Sequence, residues 1–216
     1  MEGKTNKHIL RKILLVIFII FIIFFIFTLR KLIILNKIES LAKDRVNSIN
    51  YYSEKIFITG KNTTIMKSYN KDGKYLTELR TFEPTVNEKR GTTIYKNNED
   101  KLVIMESGET KIAFINSDTM IGEISVHTLG TEQLPLWHKL LVSATSRITS
   151  EECNNKKCYF IEPAKGWKLW IDKETGLIVR EINGSTLQDS YYKFDEVKDE
   201  DIIKPDISDY KIVENN

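Results

Sequence analysis

The chain has 216 residues, 32 basic and 30 acidic side chains, a formal net charge of +2 and only two cysteines. Taking Lys4, Lys7, Arg11, Lys12, Arg30 and Lys31 from the 32 basic residues leaves 26, and taking Glu2 from the 30 acidic ones leaves 29, so the remainder is near −3. A body of that charge has no basic stripe to neutralise phosphates, which argues against nucleic acid as a partner.

The chain opens with a basic leader over residues 1–12, followed by the unbroken apolar run Ile13 to Leu29. At about 1.5 Å per residue a helix of that length nearly matches a hydrocarbon core of roughly 30 Å, and Leu32 to Leu35 extend it if Arg30 and Lys31 snorkel outward. The segment 13–35 is therefore expected to be a transmembrane signal anchor. A cleaved signal peptide is the rival reading. The run exceeds the usual apolar region of about 7–15 residues, and no A-x-A-like site follows it; Ser40-Leu41-Ala42 lies too far downstream. The basic leader and the long C-terminal part predict a single pass through the cytoplasmic membrane, N-terminus inside and C-terminal domain outside.

Residues 36–50 predict a juxtamembrane helix, with Ile38, Leu41, Ala42, Val46 and Ile49 at three- and four-residue spacing. From Ile56 onward the period changes to two. Segments rich in Ile, Val, Thr, Tyr and Phe alternate with turn signals such as Asp72-Gly73, Ser107-Gly108 and Thr175-Gly176, and predict antiparallel strands near 55–60, 63–69, 75–82, 92–96, 102–106 and 111–115. Leu134, Trp137, Leu141, Ala144 and Ile148 predict a helix with Pro135 in its first turn, where a missing N–H does no harm. Strands resume near 158–161, 167–172, 177–182 and 186–197, and the tail 204–216 is polar and expected to be irregular. No linker or repeat divides residues 51–203, which are expected to form one exported domain, α+β in class, with one or two helices packed on an antiparallel sheet.

Cys153 and Cys158 flank Asn154 and Asn155, so a hairpin is expected to set them on facing strands, where an oxidising compartment favours a structural disulfide. Free thiols are the alternative. A redox pair lacks the two-residue C-x-x-C spacing, and two thiols with no nearby His are an incomplete zinc set. No cofactor or metal site is expected. His8, His127 and His138 form no nucleophile–base pair with a neighbouring serine, Asp199-Glu200-Asp201 lacks calcium-loop spacing, and the chain is expected not to be an enzyme.

The segment Trp167-Lys168-Leu169-Trp170-Ile171-Asp172-Lys173-Glu174-Thr175-Gly176-Leu177 is a hairpin signal, and Tyr191-Tyr192-Lys193-Phe194 and Lys204-Pro205-Asp206 follow it. Together these resemble the C-terminal strands of the LolA-like and RseB-like superfamily of lipoprotein carriers and envelope sensors. The resemblance covers the last third of the chain. It implies a strongly curved antiparallel sheet, like a half-open barrel, whose concave apolar face takes up acyl chains or hydrophobic peptide segments. A carrier that shuttles must be soluble, so a tethered relative, suited to an envelope of the Gram-positive type, is expected to act as a fixed receptor.

Trp137, Trp167, Trp170, Tyr192 and Phe194 are the candidate cavity residues, with ordinary core as the competing role for each. Trp167 and Leu169 share one strand face and Trp170 takes the other. The expected function is a membrane-anchored, non-catalytic binding domain for a lipid acyl chain or lipoprotein segment. The alternative is an envelope regulatory or assembly subunit that pairs with another membrane protein and takes no small ligand.

Overall fold

The computed structural model describes residues 2–46, 48–84, 88–98, 100–116, 126–131 and 134–214, with side chains from Leu10 onward except at Glu88 and Lys89. Helix α1 (Glu2–Val46) is one helix of 45 residues. The apolar run and the juxtamembrane segment are thus a single rod, because Arg30 and Lys31 between them are good helix formers. The rod is long and apolar enough to cross a membrane, and its side chains from Leu10 to Phe27 are exposed. From there on it meets protein. Thr28, Leu32, Leu35, Ile38 and Ala42, three or four residues apart, are buried along one stripe.

The stripe lies on a twelve-stranded sheet. Strands β1 (Asn50–Thr59), β2 (Asn62–Lys71), β3 (Lys74–Glu83), β4 (Glu88–Asn97), β5 (Asp100–Ser107) and β6 (Thr110–Ile115) form a meander. After helix α2 (Leu136–Thr145), a second meander runs through β7 (Arg147–Cys153), β8 (Lys156–Ala164), β9 (Trp167–Asp172), β10 (Ile178–Asn183) and β11 (Thr186–Phe194), and β12 (Lys211–Glu214) ends it. The spatial order is β12-β6-β5-β4-β3-β2-β1-β11-β10-β9-β8-β7. Strands β1 and β11 join the two meanders antiparallel, from Tyr51↔Phe194 to Thr59↔Thr186, and only β12 against β6 is parallel. The fold is therefore α+β, with an N-terminal apolar helix, a large open antiparallel sheet and one further helix.

The two meanders are covered on opposite faces. Tyr51 and Tyr52, adjacent on β1, necessarily point to opposite sides. Tyr51 joins Ala42, Val126 and Leu177 beneath α1, with Tyr192 and Phe194 beside them. Tyr52 borders the other cluster, where Val197 and Ile202 of the chain after β11 pack on Tyr95, Leu102, Ile104 and Ala113. Asn50 fixes that departure by donating from Nδ2 to the Val197 carbonyl at 3.2 Å and accepting from its N–H at 3.0 Å. On the helical side Leu35 and Ile38 lock into Ile161, Leu169, Ile171 and Ile178. Each such side chain contributes about 1.5–3 kcal/mol by leaving water.

Three expectations are corrected. The tail after Lys204 is not wholly irregular, since β12 pairs with β6. The second helix ends at Thr145, because Ser146 is extended and Arg147 begins β7. The Cys153–Cys158 disulfide is absent and both thiols are free. Their hairpin forms, with Asn154 and Asn155 at φ of 53° and 60°. Its register, however, pairs Cys153 with Lys156 and Glu151 with Cys158. The cysteines are diagonal neighbours, typically about 7–8 Å apart between Cα atoms, beyond the roughly 5.5–6 Å that a bridge prefers. They pack instead with Val179 and Trp170, and burial pushes the Cys158 thiol up to about 11, which keeps it protonated and unreactive.

Helix and sheet approach closely at Gly176, which follows β9. Its φ is +72°, and a Cβ there would lie 2.4 Å from the Ile38 carbonyl oxygen and 2.8 Å from the Ala42 nitrogen. Gly73 also has a positive φ, +80°, but faces open space. Gly176→Ala is expected to destabilise the detergent-solubilised chain by at least about 3 kcal/mol, and Gly73→Ala by about 1 kcal/mol. Urea unfolding followed by tryptophan fluorescence measures both.

Candidate functional site

The five candidate aromatics do not converge. Trp137 lies on α2 with 61% of its surface exposed, its ring 3.3 Å from that of His138. Trp167 opens β9, partly exposed, and donates from Nε1 to Glu181 at 2.7 Å. Trp170, on the opposite face, packs against Phe160 and the two cysteines and donates to Glu151 at 3.3 Å. Tyr192 and Phe194 stack at 6.5 Å under α1, where Arg45 lies 4.9 Å from the Phe194 ring centre. These two are therefore packed by the helix, and none of the five lines a described cavity.

Two polar groups tie the covering elements to the helical face. The first is Glu39 of α1, which accepts from Lys139 of α2 at 2.6 Å and also from the Thr131 hydroxyl. Both charged side chains are largely buried. The second is His127, on the stretch 126–131 that crosses β10. Its carbonyl accepts from Ile178 at 3.1 Å, and its N–H reaches the Tyr192 hydroxyl at 3.3 Å. The ring sits 3.2 Å from Gln188 through Nδ1 and 3.7 Å from Glu181 through Nε2. Burial holds its pKa below the ordinary value, with Glu181 pulling it up and the Lys55 ammonium pushing it down. The ring is a half-buried strut. Lys55, buried on the same face, is also lowered by desolvation.

Ser143 of α2 donates its hydroxyl to the Lys139 carbonyl at 2.7 Å. No cluster of three or more metal-ligating side chains occurs among the described residues.

Sequence reasoning passed over a cavity on the other face, at the ends of β2 to β5. It encloses about 570 Å³ and is lined by Ile65, Phe82, Thr63 and Thr81, with Arg80, Arg90 and Glu106 supplying charge. Gly91 makes it possible. A Cβ there would come within 2.8 Å of the Arg80 guanidinium, which lies across the glycine and donates to Thr93 Oγ1 at 3.1 Å. Glu106 stands 3.9 Å from Arg80 and accepts from the Tyr210 hydroxyl at 2.6 Å. The only sequence trace is a glycine inside the strand pattern, a mark of close approach.

No protein-family model matches the chain, and a search of curated proteins returns no significant match. Among solved structures, an uncharacterised conserved protein from Thermus thermophilus aligns with a TM-score of 0.46 at 11% identity, over 83% of this chain and 98% of that one. MucB aligns with a TM-score of 0.36 at 9% identity, over 79% of this chain and 62% of its own. MucB in complex with MucA(peri) gives 0.36 at 8% identity, over 83% and 60%. The chain thus spans less than two thirds of the MucB structures.

The Glu39–Lys139 pair predicts that Lys139→Met, which strands the Glu39 carboxylate, costs about 2–4 kcal/mol, whereas Glu39→Gln with Lys139→Met together costs less than the single change. Amide exchange along α2 reads the difference. For His127 the folded pKa is depressed, so the unfolded chain binds the proton first. The stability it contributes is complete above the ordinary value of about 6.5 and is lost as pH falls through that value toward the folded one. His127→Asn is expected to flatten the stability profile between about pH 7 and about pH 5, measured by urea unfolding at each pH.

Proposed function

We propose that the chain is a single-pass, membrane-anchored, non-catalytic binding domain on the outer face of the cytoplasmic membrane, N-terminus inside, that works by contact with another envelope protein. One observation carries the choice of a protein over an acyl chain. The apolar face of β8 to β10, where a lipid cradle would be sought, is already filled by Leu35 and Ile38 of the chain's own anchor, 0% and 1% exposed. What remains apolar and exposed among the described residues beside that anchor is Leu136, Trp137 and Leu141 on α2, at 65%, 61% and 55%. Singly exposed apolar side chains are ordinary, but three on one ten-residue helix form a patch of the kind that partners cover.

A second reading keeps a small apolar ligand, and the cavity over Gly91 supports it. Ile65 and Phe82 suit a hydrocarbon segment, and Arg80 and Arg90 suit an anionic end. On this reading the ligand is an acyl chain or a lipoprotein segment bound on the face away from α1.

The two readings part in one experiment. With a photoreactive phenylalanine at position 137 of the full chain in cells, the protein-contact reading expects a single stoichiometric protein adduct and no change when the cavity is filled by Gly91→Leu. An absence of protein adducts, together with phospholipid that co-purifies with the parent chain and is lost from Gly91→Leu, would overturn it in favour of the cavity ligand.

A further inference from the structure

The hairpins at one end of the sheet share a property that neither reading uses. We propose that the tips 59–62, 164–167 and 183–186, with Lys31 and Arg147 alongside, form a basic rim that binds the anionic phospholipid headgroups of the leaflet from which α1 emerges. The proposal rests on the reading that α1 crosses the membrane.

The direction of the strands along α1 puts those tips at the bilayer. Followed toward its C-terminus, α1 meets the sheet from one strand end to the other. Lys31 donates to the Ser146 carbonyl, just before β7, at 2.7 Å. Gly176, beyond the far end of β9, abuts Ile38 and Ala42, and Arg45 stacks over Phe194 at the end of β11. Strand β11 begins eight residues before Phe194, at Thr186. At about 3.3 Å per residue this is roughly 26 Å, the rise of about 17 helical residues, so a strand along the helix would start level with Thr28. A tilt of about 40° moves that start only to about Leu32. Both positions adjoin the end of the exposed apolar run, and Ile13 to Leu29 span about 26 Å, close to the roughly 30 Å of the hydrocarbon core.

Register gathers the tips into one row. Trp167 pairs with Asn183, Asn183 with Thr186, Thr186 with Thr59 and Thr59 with Asn62. Five neighbouring strands therefore end together over about 19 Å. The row contains Lys61 and Lys165, both exposed, and no acidic residue. Lys168 and exposed Arg30 and Arg147 surround it, while of the nearby acids Glu181 is engaged by Trp167 and His127 and Glu162 stands opposite Arg147 in the β7–β8 register. At the opposite strand ends the lysines are interleaved with Asp72, Glu174, Asp195 and Glu196. In a body whose charge is near −3, this row beside α1 carries its lysines without an acid and matches an anionic surface, whereas the outer hairpins at the same end of the sheet carry Glu83 and Glu109. Trp167 and Ile58, each 38% exposed at the same end, are the amphipathic and apolar residues that interfaces favour.

The full chain is reconstituted in nanodiscs of phosphatidylcholine alone or with about 30% phosphatidylglycerol, and amide exchange is followed at the three tips and at the 72–73 turn. With anionic lipid the tip amides are expected to slow about tenfold or more, reversibly with salt, while 72–73 is unchanged. Lys61→Glu with Lys165→Glu is expected to abolish the slowing, with strand protection retained as the sign that the variant folds. Equal tip exchange in the two lipids, or slowing that survives the charge reversal, overturns the rim even though the chain remains with the discs. A chain that does not migrate with the discs overturns the anchor reading, and the rim with it.

Discussion

One helix has to satisfy two solvents. Ile13 to Leu29 of α1 are apolar all round, as hydrocarbon demands, and Leu32 to Ala42 are apolar along one stripe, as a sheet surface demands. No hinge separates the two regimes. The consequence runs through the whole fold, because a helix backbone this close to the sheet needs something small at the contact. Gly176 supplies it at the Ile38 and Ala42 backbone. Leu35 and Ile38 then reach Ile161 and Ile171, and the anchor becomes part of the core instead of a leash. A domain beginning after Leu35 would discard the Leu35 side chain that completes that cluster.

The remaining elements follow from how the sheet divides its cover. Twelve strands offer more apolar surface than one long and one short helix can hide. The chain after β11 therefore crosses to the other face, anchored by Asn50, and brings Val197 and Ile202 onto β4 to β6 before adding β12 at the edge. Strands β2 to β5 project past this segment, and there Gly91 and Arg80 leave the cavity of about 570 Å³. The filled face and the open cavity thus share one cause, an outsized sheet covered by two short layers.

Local chemistry made the hairpins legible. Asn154-Asn155, Asp72-Gly73 and Thr175-Gly176 are turn pairs whose positive φ values the structure bears out in whole or in part, and the split of Trp167 from Trp170 follows from strand pleat alone. What could not be read depended on distance along the chain. The register that sets Cys153 diagonal to Cys158 is decided by one residue of hairpin geometry. Strand β12 pairs only because β6, about a hundred residues earlier, presents an edge. Glu39 and Lys139, likewise a hundred positions apart, carry no signal in their own neighbourhoods. Aromatic content suggested a shared cavity for five residues, but side-chain type does not encode which layer covers which face.

Rigid continuity also changes what the anchor can transmit. A domain on a flexible linker samples all orientations and presents any face to the bilayer, so a basic surface on it would act only as an attractor. On the reading that α1 crosses a membrane, its angle there fixes the angle of the sheet, since Lys31, Glu39 and Arg45 each hold a different level of the domain to the same rod. A contact on α2 or on the rim would therefore bear on the tilt of the span itself. Tilt is soft, costing fractions of a kcal/mol per Å of mismatch, while the Leu35 cluster is stiff at about 1.5–3 kcal/mol per buried side chain. On that reading, force applied to such a body is taken up in the bilayer before the fold yields, so the proposed partner or headgroup bound outside would move the helix inside the membrane.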